Sequence, residues 1–365
     1  MHKYVTKTGA SKIYEGFKKV FLLTLVSVCL FLFSSVNSAS AAVKYWIGPG
    51  GGNFTANSNW STTSGGSNDT VAPTATDIAT FDSGGNTNCT IDGAISVAGI
   101  DIKATYTLGT ISQGSSTVAV GTSHFTQAGG TFTGGNVAIT ITGSFIISGG
   151  TFTSTSGVMT ISLSFTKTGT PTFDANGGTV TFGGTYGGST SIDASGVSFN
   201  LVTINRNFSG GYGSAYVITI VSGTTIPLGN NPTITLNNTP ELYGGTYSLI
   251  NNGTITMGTG TATFNINGTF TNNSSFSGDV TTLALNCNFT NNTTTTFASV
   301  TTITSVVFST GAGNLINNGP LNFNNVSSFT LAGGITNNAG FTITTAATTF
   351  TIGGTLSNAT GAIDH

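Results

Sequence analysis

Apolar residues recur along this chain at a spacing of roughly 20 residues, a period typical of repeat architectures. Around each of them apolar and polar side chains alternate, which is typical of a strand with one buried face. Three columns repeat in this way between residues 120 and 182: Phe125, Phe145 and Phe165; Phe132, Phe152 and Phe173; and Val120, Ile141, Ile161 and Phe182. Three short strands per repeat predict an all-β fold, a right-handed parallel β-helix with about 20 residues per coil.

The C-terminal half keeps this spacing and changes the turns. An apolar column runs beside a series of Asn-Asn turns: Phe264, Leu283, Ile303, Phe329 and Phe350 beside turns that begin at Asn251, Asn272, Asn291, Asn317 and Asn337. Both series widen by six residues in the same coil, which predicts an exposed insertion within Thr293–Asn314. Because asparagine tolerates a left-handed backbone, we expect left-handed turns whose side-chain amides form a hydrogen-bonded ladder.

The segment 1–42 has the features of a secretory signal peptide. Five lysines lead into a mainly apolar run, Phe21–Phe33, and the small residues Ala39, Ser40 and Ala41 follow. The run is shorter than the roughly 20 residues of a membrane-spanning helix, so we expect cleavage and no membrane span in the mature chain. The expected domains are the signal peptide (1–42), an N-terminal cap with the first coils (43–110), and β-helix repeats (111–365) that are truncated at the C-terminus.

Composition restricts the possible partners. Only 5% of the 365 side chains are charged, against roughly 25% in ordinary domains. Without the segment 1–42, four basic and ten acidic side chains leave a net charge of −6, which argues against a nucleic-acid partner. The cysteines that remain, Cys89 and Cys287, lie about ten coils apart in the predicted ladder, too far for a disulfide, so we expect two free thiols.

The stretch before the repeats is rich in aromatic residues. It reads YWIGPGGGNFTANSNWSTTSGG, followed by PTATDIATFD, and contains Trp46 and Trp60. It resembles the opening of bacterial secreted β-solenoid repeat proteins and autotransporter-type passengers, and TFDANGGTVTF and IDASGVSFNLVTIN resemble their repeats. The resemblance implies an extracellular, adhesin-like solenoid. A first coil exposes an apolar end, so we expect these aromatic residues to form a cap. Stacking of a carbohydrate on Trp46 and Trp60 is the alternative.

Two aspartates are the main chemical candidates. Asp174 in FDANGG and Asp193 in IDASGV have matching local sequences, so we expect them to stack on neighbouring coils. Such a pair could bind Ca²⁺ or act as the two carboxylates of a glycosidase. In the other interpretation each aspartate caps its own turn. The same choice between turn caps and a Ca²⁺ site, with caps favoured, applies to five aspartates near the N-terminus: Asp69, Asp77, Asp82, Asp92 and Asp101.

These features favour a protein that is not an enzyme and needs no cofactor or metal. We expect a secreted or cell-surface β-helix rod, attached through a missing C-terminal region, that presents a neutral Thr/Ser/Asn-rich face to cells or glycans. Two alternatives remain. One is a polysaccharide-active enzyme centred on Asp174 and Asp193. The other is an ice-binding solenoid, because Thr-x-Thr pairs such as those at positions 131/133 and 151/153 are predicted to be vertical neighbours.

Overall fold

The computed structural model describes residues 41–209, 214–238, 246–297, 300–304, 314–324, 328–344, 349–358 and 363–364. The chain divides into two units, Met1–Ala41 and Ala42–His365. The predicted signal peptide lies outside the described residues, apart from its last two positions. The described part of the second unit is all-β, as predicted, and holds two short 3-10 turns, Asn57–Asn59 and Ser83–Gly85. Within these ranges no helix has the length and apolar character to cross a membrane.

The strands change in length along the chain. Seven short strands come first: β1 (Ala42–Trp46), β2 (Gly52–Asn53), β3 (Trp60–Ser61), β4 (Asp77–Phe81), β5 (Cys89–Thr90), β6 (Ile95–Val97) and β7 (Gly99–Ile102). Ten strands of three or four residues follow: β8 (Thr110–Ser112), β9 (Val118–Val120), β10 (Phe125–Gln127), β11 (Thr131–Thr133), β12 (Ile139–Ile141), β13 (Phe145–Ile147), β14 (Thr151–Thr153), β15 (Val158–Ile161), β16 (Phe165–Lys167) and β17 (Thr172–Asp174).

The strands lengthen in the middle of the chain and then shorten again. The longer group is β18 (Thr179–Tyr186), β19 (Thr190–Asp193), β20 (Leu201–Phe208), β21 (Ala215–Ile220), β22 (Thr225–Leu228), β23 (Thr233–Asn238), β24 (Thr246–Asn251), β25 (Thr254–Asn272) and β26 (Ser275–Asn291). The last group is β27 (Thr295–Phe297), β28 (Thr302–Thr304), β29 (Leu315–Asn317), β30 (Leu321–Asn324), β31 (Ser328–Leu331), β32 (Ile335–Asn337), β33 (Phe341–Thr344), β34 (Thr349–Ile352), β35 (Leu356–Asn358) and β36 (Ile363–Asp364).

Apart from β3, which pairs antiparallel with β1, parallel pairing sorts these strands into three series, which we call faces A, B and C. Face A is β1–β4–β7–β10–β13–β16–β19–β21–β24–β25–β26–β29–β32–β35, and face B is β6–β9–β12–β15–β18–β20–β23–β25–β26–β28–β31–β34. Face C is β2–β5–β8–β11–β14–β17, then β22–β25–β26, then β27–β30–β33–β36. The chain visits A, C and B in turn, a pattern compatible with a β-solenoid. Because β25 and β26 each contribute to all three faces, faces A and B belong to one 26-stranded sheet.

The three predicted apolar columns are confirmed. Phe145 pairs with Phe125 below and Phe165 above on face A, with ring centroids 5.3 and 5.1 Å apart. On face C, Phe132 and Phe152 stack at 5.0 Å. The residues between them point outward, as Thr140 does on face B. Alternation along each short strand therefore buries one continuous row of rings, and each ring packs on copies of itself.

The predicted spacing of about 20 residues fails in the middle of the chain. On face A, Phe165 pairs with Ile192, Ile192 with Ile220, and Ile220 with Asn251, so each of these coils is clearly longer than the regular ones before it. One cause is that β18 and β20 have eight residues where their face B counterparts β12 and β15 have three and four. The regular columns flanking this region gave no sign of the longer strands.

The strand pairing confirms that one coil of the C-terminal half is six residues longer than its neighbours. The interval from Leu283 to its partner Ile303 is a regular one, whereas the interval from Ile303 to its partner Phe329 carries the whole excess. The interval from Phe289 to its partner Leu315 carries the same excess. The surplus therefore falls between Ile303 and Leu315. Positions 305–313 lie outside the described residues, and they make up most of the stretch between Ile303 and Leu315 to which the surplus is assigned.

One column of the C-terminal half was assigned incorrectly. Leu283, Ile303 and Phe329 do align on face B, but the residue below them is Ala262. Phe264 pairs with Leu285, two residues out of the predicted column. The reason is that the β25–β26 pairing changes register between Asn265 and Thr269, so the spacing that places Asn272 beside Asn291 does not hold at Phe264.

The predicted amide ladder is confirmed, and there are two of them. The inner row is fully buried up to Asn337, and each Nδ2 donates to the Oδ1 of the next residue over 2.8–3.3 Å: Asn251, Asn272, Asn291, Asn317, Asn337 and Asn358. The outer row is exposed except for the half-buried Asn252, and its amides donate the opposite way, toward lower numbers, over 2.6–2.9 Å: Asn338, Asn318, Asn292, Asn273 and Asn252. The inner row occupies strand positions, so its amides point into the core.

The left-handed turns predicted for these asparagines are wrong. The positive-φ residues other than glycine in the described ranges are His124, Asn176 and Asn231, none of which belongs to either ladder. Asn251 ends β24 instead, and its side-chain Oδ1 accepts a hydrogen bond from the backbone N–H of Gly253 at 3.1 Å. The side chain thus supports the turn while the backbone remains extended.

Candidate functional site

The two tryptophans lie in the interior near the start of the described chain. Both are fully buried, and their rings meet at 5.4 Å in an edge-on arrangement. Trp60 also contacts Phe54 and Phe81, with centroids 4.9 and 5.7 Å away. The indole N–H of Trp60 donates to the carbonyl oxygen of Phe54 at 2.7 Å, and that of Trp46 to Thr87 Oγ1 at 3.2 Å. In this conformation neither ring exposes a face on which a sugar could stack.

Asp174 and Asp193 do not form the predicted pair. Asp174 is on face C, in register with Thr153, whereas Asp193 is on face A, in register with Thr166. Because the coil after Asp174 is longer than predicted, the chain has not yet returned to face C at Asp193, which lies on face A. Asp174 accepts a hydrogen bond from the backbone N–H of Asn176 at 2.8 Å, so it caps its own turn, as the alternative interpretation held. The carboxylate pair on which the enzyme alternative rested is therefore absent.

Several aspartates near the N-terminus each accept hydrogen bonds from a single threonine. Asp69 accepts from the backbone N–H and the hydroxyl of Thr62, both at 2.7 Å, and Asp92 is bound in the same way by Thr55. The two hydrogen bonds from Thr62 lower the pKa of Asp69. Among the described residues, no three His, Cys, Asp or Glu side chains are arranged to hold a metal ion.

Asp77 is bound more tightly than these two. Its carboxylate accepts from the N–H and hydroxyl of Thr74 at 2.8 and 2.7 Å, and it forms an ion pair with Lys44 at 2.9 Å. Burial alone would raise the pKa of Asp77, but Thr74 and Lys44 outweigh it, and the pKa is lowered. The acids of this region therefore serve the local fold.

A column of threonine hydroxyls occupies the outer side of face B. Thr140 pairs with Thr160, Thr160 with Thr181, and Thr181 with Thr203. The hydroxyl oxygens of Thr181 and Thr203 are 2.7 Å apart and share one hydrogen bond. On face C the Thr-x-Thr pairs at 131/133 and 151/153 are vertical neighbours, as predicted. A Thr/Ser rung at 110/112 extends the array on one side, and Asp174 ends it on the other.

A groove of about 520 Å³ opens on the outer side of face B, in the region of long coils. It forms where β20 meets β23: the pairing of these strands begins only at Ile204, so the first three residues of β20 are left beside the turn that precedes β23. Threonine hydroxyls, asparagine amides and a few apolar side chains line it: Thr181, Leu201, Val202, Thr203, Asn205, Leu228, Gly229, Asn230, Asn231, Pro232, Thr233 and Thr235.

Two asparagines fix the wall of this groove. The Oδ1 of Asn230 accepts from the backbone N–H of Thr259, and the Oδ1 of Asn231 from that of Thr261, both at 2.9 Å. Asn231 has a φ of +49°, and its own backbone N–H donates to the carbonyl oxygen of Thr259 at 2.9 Å. The backbone N–H groups of Gly258 and Thr263 donate to the carbonyl oxygens of Gly229 and Pro232, so five hydrogen bonds anchor the turn to the next coil. It was not identified from the sequence, where GNNP signals a turn but not what lies beneath it.

The basic residue nearest to the groove in sequence points away from it. Arg206 follows the groove residue Asn205, but its side chain is fully buried. Its guanidinium donates to the backbone carbonyl oxygens of Ser162 and Leu163, and no hydrogen bond is formed by its Nε. Burial lowers the pKa of Arg206 to about 10, so it remains a cation at neutral pH. Alternation along β20 thus keeps this charge out of the groove.

Comparison of the chain with known protein families, with curated proteins and with solved structures finds no match. The functional interpretation consequently depends on the geometry described above.

Proposed function

We propose that this protein is a secreted or cell-surface adhesive solenoid that contacts cells or glycans and catalyses no reaction. In this proposal the coil is a right-handed β-helix, because crossovers between parallel strands almost always have that hand. The buried cluster around Trp46 and Trp60 covers the apolar end of the first coil as a cap. The predicted signal peptide and the resemblance to secreted repeat proteins favour the extracellular location.

The observation that carries the proposal is the neutral, hydroxyl-rich outer surface. Four threonines follow one another from coil to coil on face B, from Thr140 to Thr203, and asparagine amides form the exposed outer ladder. Within the described ranges, both ion pairs that are resolved, Lys44–Asp77 and Lys103–Asp101, lie near the N-terminus. A long uncharged array of donors and acceptors suits hydroxyl-rich partners such as glycans, where binding depends on many weak hydrogen bonds.

The test is binding of the full chain to bacterial cells and to an array of glycans, with assays for reducing ends and unsaturated sugar products in the same samples. We expect binding without product release. Because the surface is neutral, affinity should change little between about 0.05 and about 0.5 M NaCl. Release of sugar products would refute the non-catalytic part of the proposal, and absence of binding to both cells and glycans would refute adhesion.

A second candidate function is favoured by the array on face C. Two adjacent rungs, at 131/133 and 151/153, carry threonine pairs in register, and a Thr/Ser rung lies below them at 110/112. Regular hydroxyl spacing on a parallel sheet is the geometry an ice-binding surface would use. The array stops at Asp174. Ice-crystal shaping and thermal hysteresis measure this activity directly, and replacement of Thr133 and Thr153 by Lys should abolish it.

A further inference from the structure

The groove on face B differs from the rest of the outer surface because it has a built wall. Positions 229–232 form a turn that five hydrogen bonds anchor to β25, and the floor consists of strand residues of β18, β20 and β23. A ligand entering the groove therefore meets groups that are already held in place, and it orders few side chains on binding.

The lining combines two kinds of groups. The hydroxyls of Thr181 and Thr203 share one hydrogen bond, which leaves one O–H and further acceptor positions free for a ligand. Asn205 is exposed beside them. The partly exposed side chain of Leu201 adds an apolar surface, whereas Leu228 and Pro232 are buried in the lining. A sugar ring presents the same combination, with hydroxyls around its edge and C–H groups on its face.

Among the described residues, no charged side chain lines the groove. An anionic chain entering it would lose hydration without gaining a cationic partner, since Arg206 is buried on the other side of β20. A cationic ligand would find no carboxylate in this lining. The groove thus favours an uncharged ligand.

We propose that this groove is a binding site for a neutral polysaccharide, with Thr203 and Asn205 as hydrogen-bonding residues and Leu201 as the apolar side chain against which a sugar ring packs. This inference rests on the proposed adhesive function and adds to it a site and a ligand class. Binding here selects neutral over acidic glycans, whereas the threonine columns elsewhere contribute weak, unselective contacts.

The experiment measures binding of the full chain to dextran, laminarin and mannan as neutral probes, to alginate and polygalacturonate as acidic probes, and to reduced casein as an extended polypeptide. We expect at least one neutral probe to bind more tightly than both acidic ones and casein. For that probe, Thr203→Val and Asn205→Ala should each weaken binding about fivefold, the effect of about one lost hydrogen bond. Thr140→Val, in the same threonine column but outside the groove, is the matched control and should bind like the parent chain.

Each alternative result has a distinct meaning. Equal binding of a neutral probe by the parent, Thr203→Val and Asn205→Ala chains, with unchanged melting temperatures, would overturn the groove as the site and leave the adhesive function standing. Tighter binding of alginate, polygalacturonate or casein at the groove would overturn the neutral-glycan assignment. No binding of cells or any glycan would overturn the proposed function itself.

Discussion

The same column of face A is filled in two different ways. From Phe125 to Phe165 it holds phenylalanine rings 5.3 and 5.1 Å apart, and from Asn251 to Asn358 it holds asparagine side chains joined by amide hydrogen bonds. Register connects the two halves through Ile192 and Ile220. The same parallel pairing of strands can therefore bury either an apolar or a polar row of side chains. In both rows each side chain between the ends contacts an identical one in the coil above and in the coil below.

The phenylalanine row and the asparagine row differ in how the removal of one side chain lowers the stability of the fold. A phenylalanine row is held by packing, so loss of one ring leaves a cavity whose walls can partly relax. An asparagine row is held by directional bonds, so loss of one amide leaves buried donors and acceptors on both neighbours. The opposed donor directions of the inner and outer asparagine rows also set the two rows of amide dipoles against each other, which limits the net dipole of the turn region.

The largest effect is expected in the phenylalanine row. Phe145→Ala should lower the free energy of unfolding by about 3–5 kcal/mol, because Phe145 is fully buried between Phe125 and Phe165. Urea denaturation measures it. The exposed control Thr140→Ala, one strand earlier on face B, should shift the midpoint very little. Equal shifts for the two chains would show that the strand alternation is assigned to the wrong face.

Next comes the inner asparagine row. Asn291→Ala removes the acceptor of Asn272 and the donor to Asn317, and it also leaves Thr295 Oγ1 without the Oδ1 to which it donates at 2.9 Å. We expect a loss of about 2–3 kcal/mol in the free energy of unfolding. Asn292→Ala in the exposed row is the matched control, and it should cost about 0.5 kcal/mol or less because water replaces its partners. A larger loss at Asn292 than at Asn291 would contradict the importance of burial.

A smaller effect is expected from pH, because the stability of the aspartate-containing N-terminal region should depend on pH and that of the asparagine rows should not. The pKa values of Asp69, Asp77 and Asp92 are lowered in the folded chain, so their contribution is present above the unfolded value of about 3.9 and is lost as the pH falls through the folded values. The protection factors for hydrogen exchange near Asp77, which compare the observed rate with the intrinsic rate at each pH, should therefore fall below about pH 4 while those of the asparagine rows remain high. Asp77→Asn should remove much of this pH dependence, and an equal fall of the protection factors in both halves would contradict it.

The last prediction is that the two buried cysteines do not react with an alkylating reagent in the folded chain. Cys89 and Cys287 are both buried free thiols, as predicted. Burial raises the pKa of Cys287 to about 12 and that of Cys89 well above its usual value, so both stay protonated at neutral pH. Iodoacetamide should leave Cys89 and Cys287 unmodified in the folded chain at pH 8 and label both after denaturation, as read by mass spectrometry of the peptides that contain them. A Cys89–Cys287 disulfide would be incompatible with this strand order.

Predictability from sequence differed sharply between the regular coils and the middle of the chain. The Phe125–Phe145–Phe165 column could be assigned from spacing, because short strands of constant length put every equivalent residue at the same height. Asp174 and Asp193 could not be placed, because β18 has eight residues and lengthens the coil, so that the residues between them do not complete a full coil and Asp193 lies on face A. The groove has a different origin: the first three residues of β20 pair with β18 but not with β23, whose pairing with β20 begins at Ile234.

By itself, the sequence determined what alternates and what repeats: the all-β class, the parallel registers of the regular coils, the asparagine ladder and the near absence of charge. These are local or periodic properties, and side chains that recur at one spacing impose them wherever strands stack. Only the tertiary structure decided which face each long strand occupies, that the ladder asparagines are extended and point inward, that Trp46 and Trp60 are buried, and that Arg206 faces away from the groove. These features depend on where strands end, on bulges and on packing against neighbouring coils, none of which can be predicted from the spacing of apolar residues in one sequence.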